Sequence, residues 1–163
     1  MNPGDFEQRL QKAIERGQRR GAAAAQAAQQ QQMSEDELRQ LHSRYRLQLS
    51  DHIELCVRKL PTFFPGFQYE TIFGERGWGA ACSRDDIHLE RGHRTTDYSR
   101  LEMTVRPYSS VHVLDLAAKG TIRNKEIFTR NYYEKIPDAD PIKYLELIDA
   151  WVLEYAELFA AKS

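Results

Sequence analysis

From residue 38 the chain sets Leu38, Leu41, Tyr45, Leu49, Ile53, Cys56 and Leu60 at intervals of three and four, the apolar stripe of an amphipathic helix. Ser34-Glu35-Asp36-Glu37 precedes it as a start signal, a capping hydroxyl three residues before a glutamate with acidic residues in the first turn. Pro61 and Pro65 are read as its end. After residue 66 the period becomes two. Phe67, Tyr69, Thr71 and Phe73 alternate with Gln68, Glu70 and Ile72, and a second run extends from Trp78 to Leu89. A third, YSRLEMTVR, sets Leu101, Met103 and Val105 against Tyr98, Arg100, Glu102, Thr104 and Arg106. A fourth, VHVLDLAA, is apolar on both faces apart from Asp115, and Lys119-Gly120 reads as the turn into a fifth run ending near Tyr133.

The connections are short and nothing helical intervenes, which favours an antiparallel meander over parallel pairing. Asp140-Pro141 then reads as an N-cap with proline at the first helical position, and Ile148, Trp151, Val152, Tyr155 and Phe159 form the apolar face of a last helix. The predicted fold class is α+β: a long N-terminal amphipathic helix, a five-stranded antiparallel meander and a C-terminal helix packed on the sheet. The helices are expected to cover one sheet face.

Residues 5–32 are rich in Ala, Gln, Arg and Glu, with Phe6, Leu10, Ala13 and Ile14 at helical spacing and then almost no large apolar residue. Gly17 and Gly21 each cost a helix interior roughly 1 kcal/mol relative to alanine, and most helices in proteins are held by packing. Residues 1–33 are therefore expected to be a partly helical or disordered arm, and 34–163 a single domain.

Composition, 41% hydrophobic and 29% charged over 163 residues, is that of an ordinary globular domain. Residues 1–33 hold five Lys/Arg against three Asp/Glu, and the remainder 18 against 21. Without a strong basic excess, nucleic acid is not an expected partner of the domain; Arg16, Arg19 and Arg20 leave the arm a weak contact for an anionic one. MNPGDFEQRL lacks the apolar core of a signal peptide and no run of about 18 apolar residues occurs, so a cytoplasmic protein is expected. Cys56 and Cys82, the two cysteines, have no CxxC spacing and are expected to be reduced thiols.

The stretch GERGWGAAC, residues 74–82, fits neither GxGxxG nor GxxxxGK[ST] and lies between two strands, so it is read as a hairpin tip with Glu75 and Arg76 at its apex. Gly79 beside Trp78 is read as a point where the backbone approaches an aromatic ring. Beyond it, alternation puts Cys82, Arg84, Asp86 and His88 on one face, but Cys82 and His88 are about 20 Å apart along a strand and form no dyad. Arg84, Arg100, Glu102, Arg106 and Asp115 are the candidate binding residues, as an anion or acid-base set on a polar sheet face. The bland alternative is a ladder of surface ion pairs, with Asp115 paired to Lys119, Arg123 or an arginine of the third strand. His52 and Cys56, at i and i+4, could hold a metal from one helix face, but two ligands do not make a site and no metal or other cofactor is expected. Phe128, Tyr132 and Tyr133 with Lys125, Arg130 and Asn131 resemble an RNA-stacking surface only superficially, and core plus strand edge is the better account.

No catalytic set is assembled by these motifs. The reading is a non-enzymatic binding or adaptor module that engages a protein partner through a sheet face or edge, with the arm as a further contact, as a homodimer. Its layout recurs in dimeric secretion chaperones, an analogy of architecture that transfers no function. The rival is a small enzyme or anion-binding protein using the polar sheet face.

Overall fold

The structure, a computed structural model, describes residues 3–162 and all their side chains but those of residues 3 and 30–33. The order is α1 (Pro3–Phe63), β1 (Gln68–Ile72), β2 (Trp78–Glu90), β3 (His93–Val105), β4 (Val113–Ile122), β5 (Lys125–Lys135), a 3-10 turn over Ile136–Asp138, and α2 (Pro141–Lys162). The strands form one antiparallel sheet in the order β1-β2-β3-β4-β5, the predicted meander. No helix among the described residues is long and apolar enough to cross a membrane.

The chain divides into two compact units, one reaching to Arg39 and one starting at Gln40. In the first, α1 exposes Phe6, Leu10 and Ile14. The helix runs through Ser34 rather than starting there. Strong helix formers precede that serine, and no proline lies between Pro3 and Pro61 to interrupt them. Pro61 sits inside the last turn, and Gly66, at φ 103°, bends the chain towards β1.

In the second unit, Ala80 and Cys82 of β2, Leu101, Met103 and Val105 of β3, and Leu114, Leu116 and Ala118 of β4 make the buried sheet face. Register aligns them, with Cys82 opposite Leu101 and Met103 opposite both Ala80 and Ala118. The same core holds Leu49, Ile53, Val57 and Leu60 of α1 and Tyr144, Ile148, Trp151, Val152, Tyr155 and Phe159 of α2. Two buried tyrosines tie α2 to β4, Tyr144 donating to the Leu114 carbonyl at 2.7 Å and Tyr155 to that of Thr121 at 2.9 Å. On the other side, the Arg46 guanidinium of α1 lies 4.2 Å from the Trp78 ring and that of Arg58 4.8 Å from the Tyr69 ring. Helix α2 starts as predicted, with the Asp140 carboxylate accepting from the Ile142 amide at 3.1 Å.

Gly74 and Gly77, at φ 107° and 112°, make the β1–β2 hairpin tip, with Glu75 and Arg76 at its apex as read. Gly79 serves a closer approach than the aromatic one expected: a Cβ there would stand 1.9 Å from the Met103 carbonyl oxygen, so backbone meets backbone. The turn into β5 is Arg123-Asn124, at φ 48° and 68°, and not Lys119-Gly120. Gly120 stays in the strand because the Phe128 ring packs where its side chain would be, 3.0 Å from a hypothetical Cβ. Asn124, which tolerates the left-handed region, donates to the Thr96 carbonyl at 3.1 Å and accepts from the Tyr98 amide at 2.9 Å. That pins the β4–β5 turn to β3. From Arg84 on, β2 pairs with β3 alone, so residues 84–99 form a two-stranded ribbon closed by Arg91-Gly92.

Gly79→Ala is expected to destabilise the chain by about 1–3 kcal/mol through overpacking, read by urea unfolding; an unchanged midpoint would contradict the contact. His42, 2% exposed, stands edge-on to Tyr108 at 5.7 Å, and its Nε2 has no hydrogen-bond partner among the described residues. Burial pulls its pKa down, a hydrogen bond to the Arg106 backbone opposes this, and Arg46 adds to the lowering. The unfolded chain therefore takes the proton first, so this contribution to stability is whole above about pH 6.5 and is lost as pH falls through the folded value. His42→Leu should accordingly lose less stability between about pH 7 and pH 5 than the parent chain. Equal slopes would remove the argument.

Candidate functional site

Alternation outward from the core assigns the candidate residues to faces. Arg100 lies opposite Thr121 and Glu102 opposite Lys119, and the Arg106 amide donates to the Asp115 carbonyl at 2.9 Å. These four share the outer sheet face. Arg84 does not join them. It follows Cys82 by two residues and pairs with Ser99, which puts it on the helix side, so the proposed five-residue set is split between opposite faces.

On the outer face the charges are already paired. Arg76 reaches Glu102 at 2.5 Å, Arg100 reaches Glu70 at 2.8 Å and Glu102 at 3.3 Å, and Arg106 stands 3.5 Å from Asp115. Burial works against the charge of Arg100, but the Glu70 and Glu102 carboxylates outweigh it and its pKa ends above the ordinary value. A concavity of about 410 Å³ opens here, lined by Arg76, Glu102, Arg106, Lys119 and Arg130 among others. The arginines of its outer lining each already hold a carboxylate, and Arg130, opposite Ala118, turns its guanidinium to Glu154 on the helix side. The arrangement is an ion-pair ladder. Of the three aromatic residues read as a superficial stacking surface, Phe128 is buried under the Arg130 guanidinium, 4.6 Å from its ring, Tyr132 packs edge-on to Tyr144 at 5.2 Å, and Tyr133 is 62% exposed.

Arg84 is a clamp on the core. Its guanidinium donates to both Asp86 oxygens, at 2.9 and 3.1 Å, and to the Pro65 carbonyl at 3.1 Å. It lies over the Phe159 ring at 5.0 Å, capping the cluster of Phe64, Phe67, Tyr155 and Phe159. Cys82 is sealed in the same core, where burial pushes its thiol up to about 12.

The helices bring together a set that local spacing leaves incomplete. Val57 and Leu60 face the core, which turns His52 and Cys56 towards α2, and α2 presents Asp149 to them. His52 Nε2 lies 2.7 Å from Asp149 Oδ1, Cys56 Sγ 3.5 Å from the same Nε2, and the Cys56 thiol donates to that oxygen over 3.4 Å. Burial, then the Asp149 carboxylate, pushes the Cys56 thiol up to about 11. A cysteine nucleophile needs the opposite shift, and a triad needs base and orienter on different ring nitrogens. Here one nitrogen faces both partners, so the three atoms converge on a point instead of forming a relay. The sequence discounted His52 and Cys56 for want of a third donor; Asp149, 97 residues from His52, supplies it.

Beside this cluster runs an apolar groove of about 480 Å³, lined by Leu60, Phe63, Phe64, Val152, Leu153 and Ala156 and reaching Cys56 and Asp149. Phe63 and Leu153 are 76% and 67% exposed there. No family model, no curated protein and no solved structure matches the chain.

If Arg84 is structural and Arg76 a surface pair, Arg84→Ala should cost about 2 kcal/mol, through lost packing and the bidentate bond. Arg76→Ala should cost under about 1 kcal/mol. Chemical denaturation of both variants checks the order, and the reverse order would refute it.

Proposed function

We propose that the chain is a non-enzymatic binding module that takes an amphipathic helix of a partner protein into the groove between α1 and α2. The observation that carries this is the groove itself, whose lining is nearly all carbon and whose rims hold Phe63 and Leu153 largely in solvent. A patch of that kind is the usual mark of an interaction surface, and a groove lined from two helices suits the ridge of a third. Helix α2 carries four Asp/Glu against two Lys. On the α2 side a partner flank of Lys or Arg complements that charge, while the α1 side of the groove carries Lys59. The sheet face favoured by the sequence is a weaker candidate, because its arginines and carboxylates already satisfy one another.

The test uses the full chain and a helical peptide with leucines at i, i+3, i+4 and i+7 and lysines beside them, with a scrambled peptide as control. Fluorescence anisotropy should show the patterned peptide binding at least about tenfold tighter than the scrambled one, a difference of roughly 1.4 kcal/mol. Leu153→Glu should abolish the difference. Equal binding of the two peptides, or preference unaffected by Leu153→Glu, would overturn the proposal. So would a dimer by light scattering that Leu153→Glu converts to monomer while the peptide fails to bind; the occupant would then be a second copy.

A further inference from the structure

His52, Cys56 and Asp149 offer one imidazole nitrogen, one sulfur and one carboxylate oxygen, all within 4.8 Å of one another. A tetrahedral zinc ion, with bonds of about 2.0–2.1 Å to nitrogen, about 2.0–2.2 Å to oxygen and about 2.3 Å to sulfur, sets its ligand atoms roughly 3.3–3.6 Å apart. The sulfur–nitrogen and sulfur–oxygen separations, 3.5 and 3.4 Å, have those values. Only nitrogen and oxygen, at 2.7 Å, are closer, and they must open by about 0.6 Å or a little more for such an ion. The Asp149 side chain is 53% exposed, so the opening falls on a side chain half in solvent.

We infer that these three residues form a zinc site joining α1 to α2, with a fourth position left for water. The donor set selects the metal class: sulfur and imidazole disfavour calcium and magnesium, which take oxygen ligands, and fit zinc. Charge closes as well, since a thiolate and a carboxylate neutralise the dication and the imidazole binds in its neutral form. On binding, the metal–sulfur bond replaces the sulfur–hydrogen bond and the thiol proton leaves to solvent. His52 and Cys56 stand one helical turn apart, the spacing that lets two ligands on one helix share an ion. The ion supplies an inter-helix bond at the mouth of the groove. The inference is independent of the groove's occupant.

The full chain, stripped with a chelator, is titrated with cobalt(II) as a spectroscopic stand-in and then with zinc. One cobalt per chain should bind with visible tetrahedral bands and a near-ultraviolet sulfur-to-cobalt charge-transfer band, which zinc abolishes. Cys56→Ser should lose the charge-transfer band, and His52→Gln and Asp149→Asn should each weaken zinc binding by about tenfold or more. Zinc should raise the melting temperature of the parent chain and of His88→Gln, whose imidazole sits in a separate pair with Asp97 at 3.0 Å, but not that of Cys56→Ser. Asp149→Asn alters an exposed side chain and keeps the test decisive should a helix α1 variant fail to fold. Absence of the charge-transfer band at excess cobalt, or zinc affinity unchanged in Asp149→Asn and His52→Gln, would overturn the inference.

Discussion

The pairing of β2 with β3, from Trp78 opposite Val105 to Glu90 opposite His93, decides which side chains can meet the helices. Side chains alternate across a strand, so a slip of β3 by one residue would send Leu101 and Met103 to solvent and bring Glu102 and Arg100 under α1 and α2. Gly79 enforces the alignment from the backbone, since only a residue without Cβ lets β2 lie so near the Met103 carbonyl. Two helices cover one face of the sheet. The other face, left to water, is stabilised by paired charges rather than by burial.

That division explains why the two sides of the second unit differ in what they offer. On the outer face the guanidinium groups of Arg76, Arg100 and Arg106 each have a carboxylate within 3.5 Å, and the surface is chemically complete in itself. On the helical side the fit is unfinished. Helix α1 must turn Leu49, Ile53 and Val57 to the sheet, which leaves Leu55 and Phe63 outside, and α2, in burying Val152, leaves Leu153 in solvent. Apolar surface without cover and the converging His52, Cys56 and Asp149 side chains lie side by side there.

Much of this was legible in the residues. Period two marked the strands, the glycines of GERGWG marked a hairpin tip, and Asp140-Pro141 marked the start of α2, because each is a local signal with a local cause. What was not legible needed the third dimension. Lys119-Gly120 resembled a turn until Phe128 claimed the space beside Gly120, and Asn124, a residue suited to positive φ, was the better signal. Arg84 and Arg100 both read as polar strand positions, and nothing short of the register with Cys82 and Leu101 assigns them to opposite faces. Asp149 has no local signal that sets it apart from Glu146, Glu154 and Glu157 of the same helix. Its meeting with His52 and Cys56 follows from the angle at which two helices share one sheet, which no spacing along the chain encodes.

Each strand of the meander pairs with its successor, so the sheet closes through small loops, at low entropic cost, as the chain is read from β1 to β5. The two helices come before and after all of it. Their contact between His52 and Asp149 spans 97 residues, one of the largest ring closures in the second unit. A chain with its hairpins formed but α2 undocked would own every donor of that cluster and yet not possess the cluster, so its presence reports that folding has gone to completion.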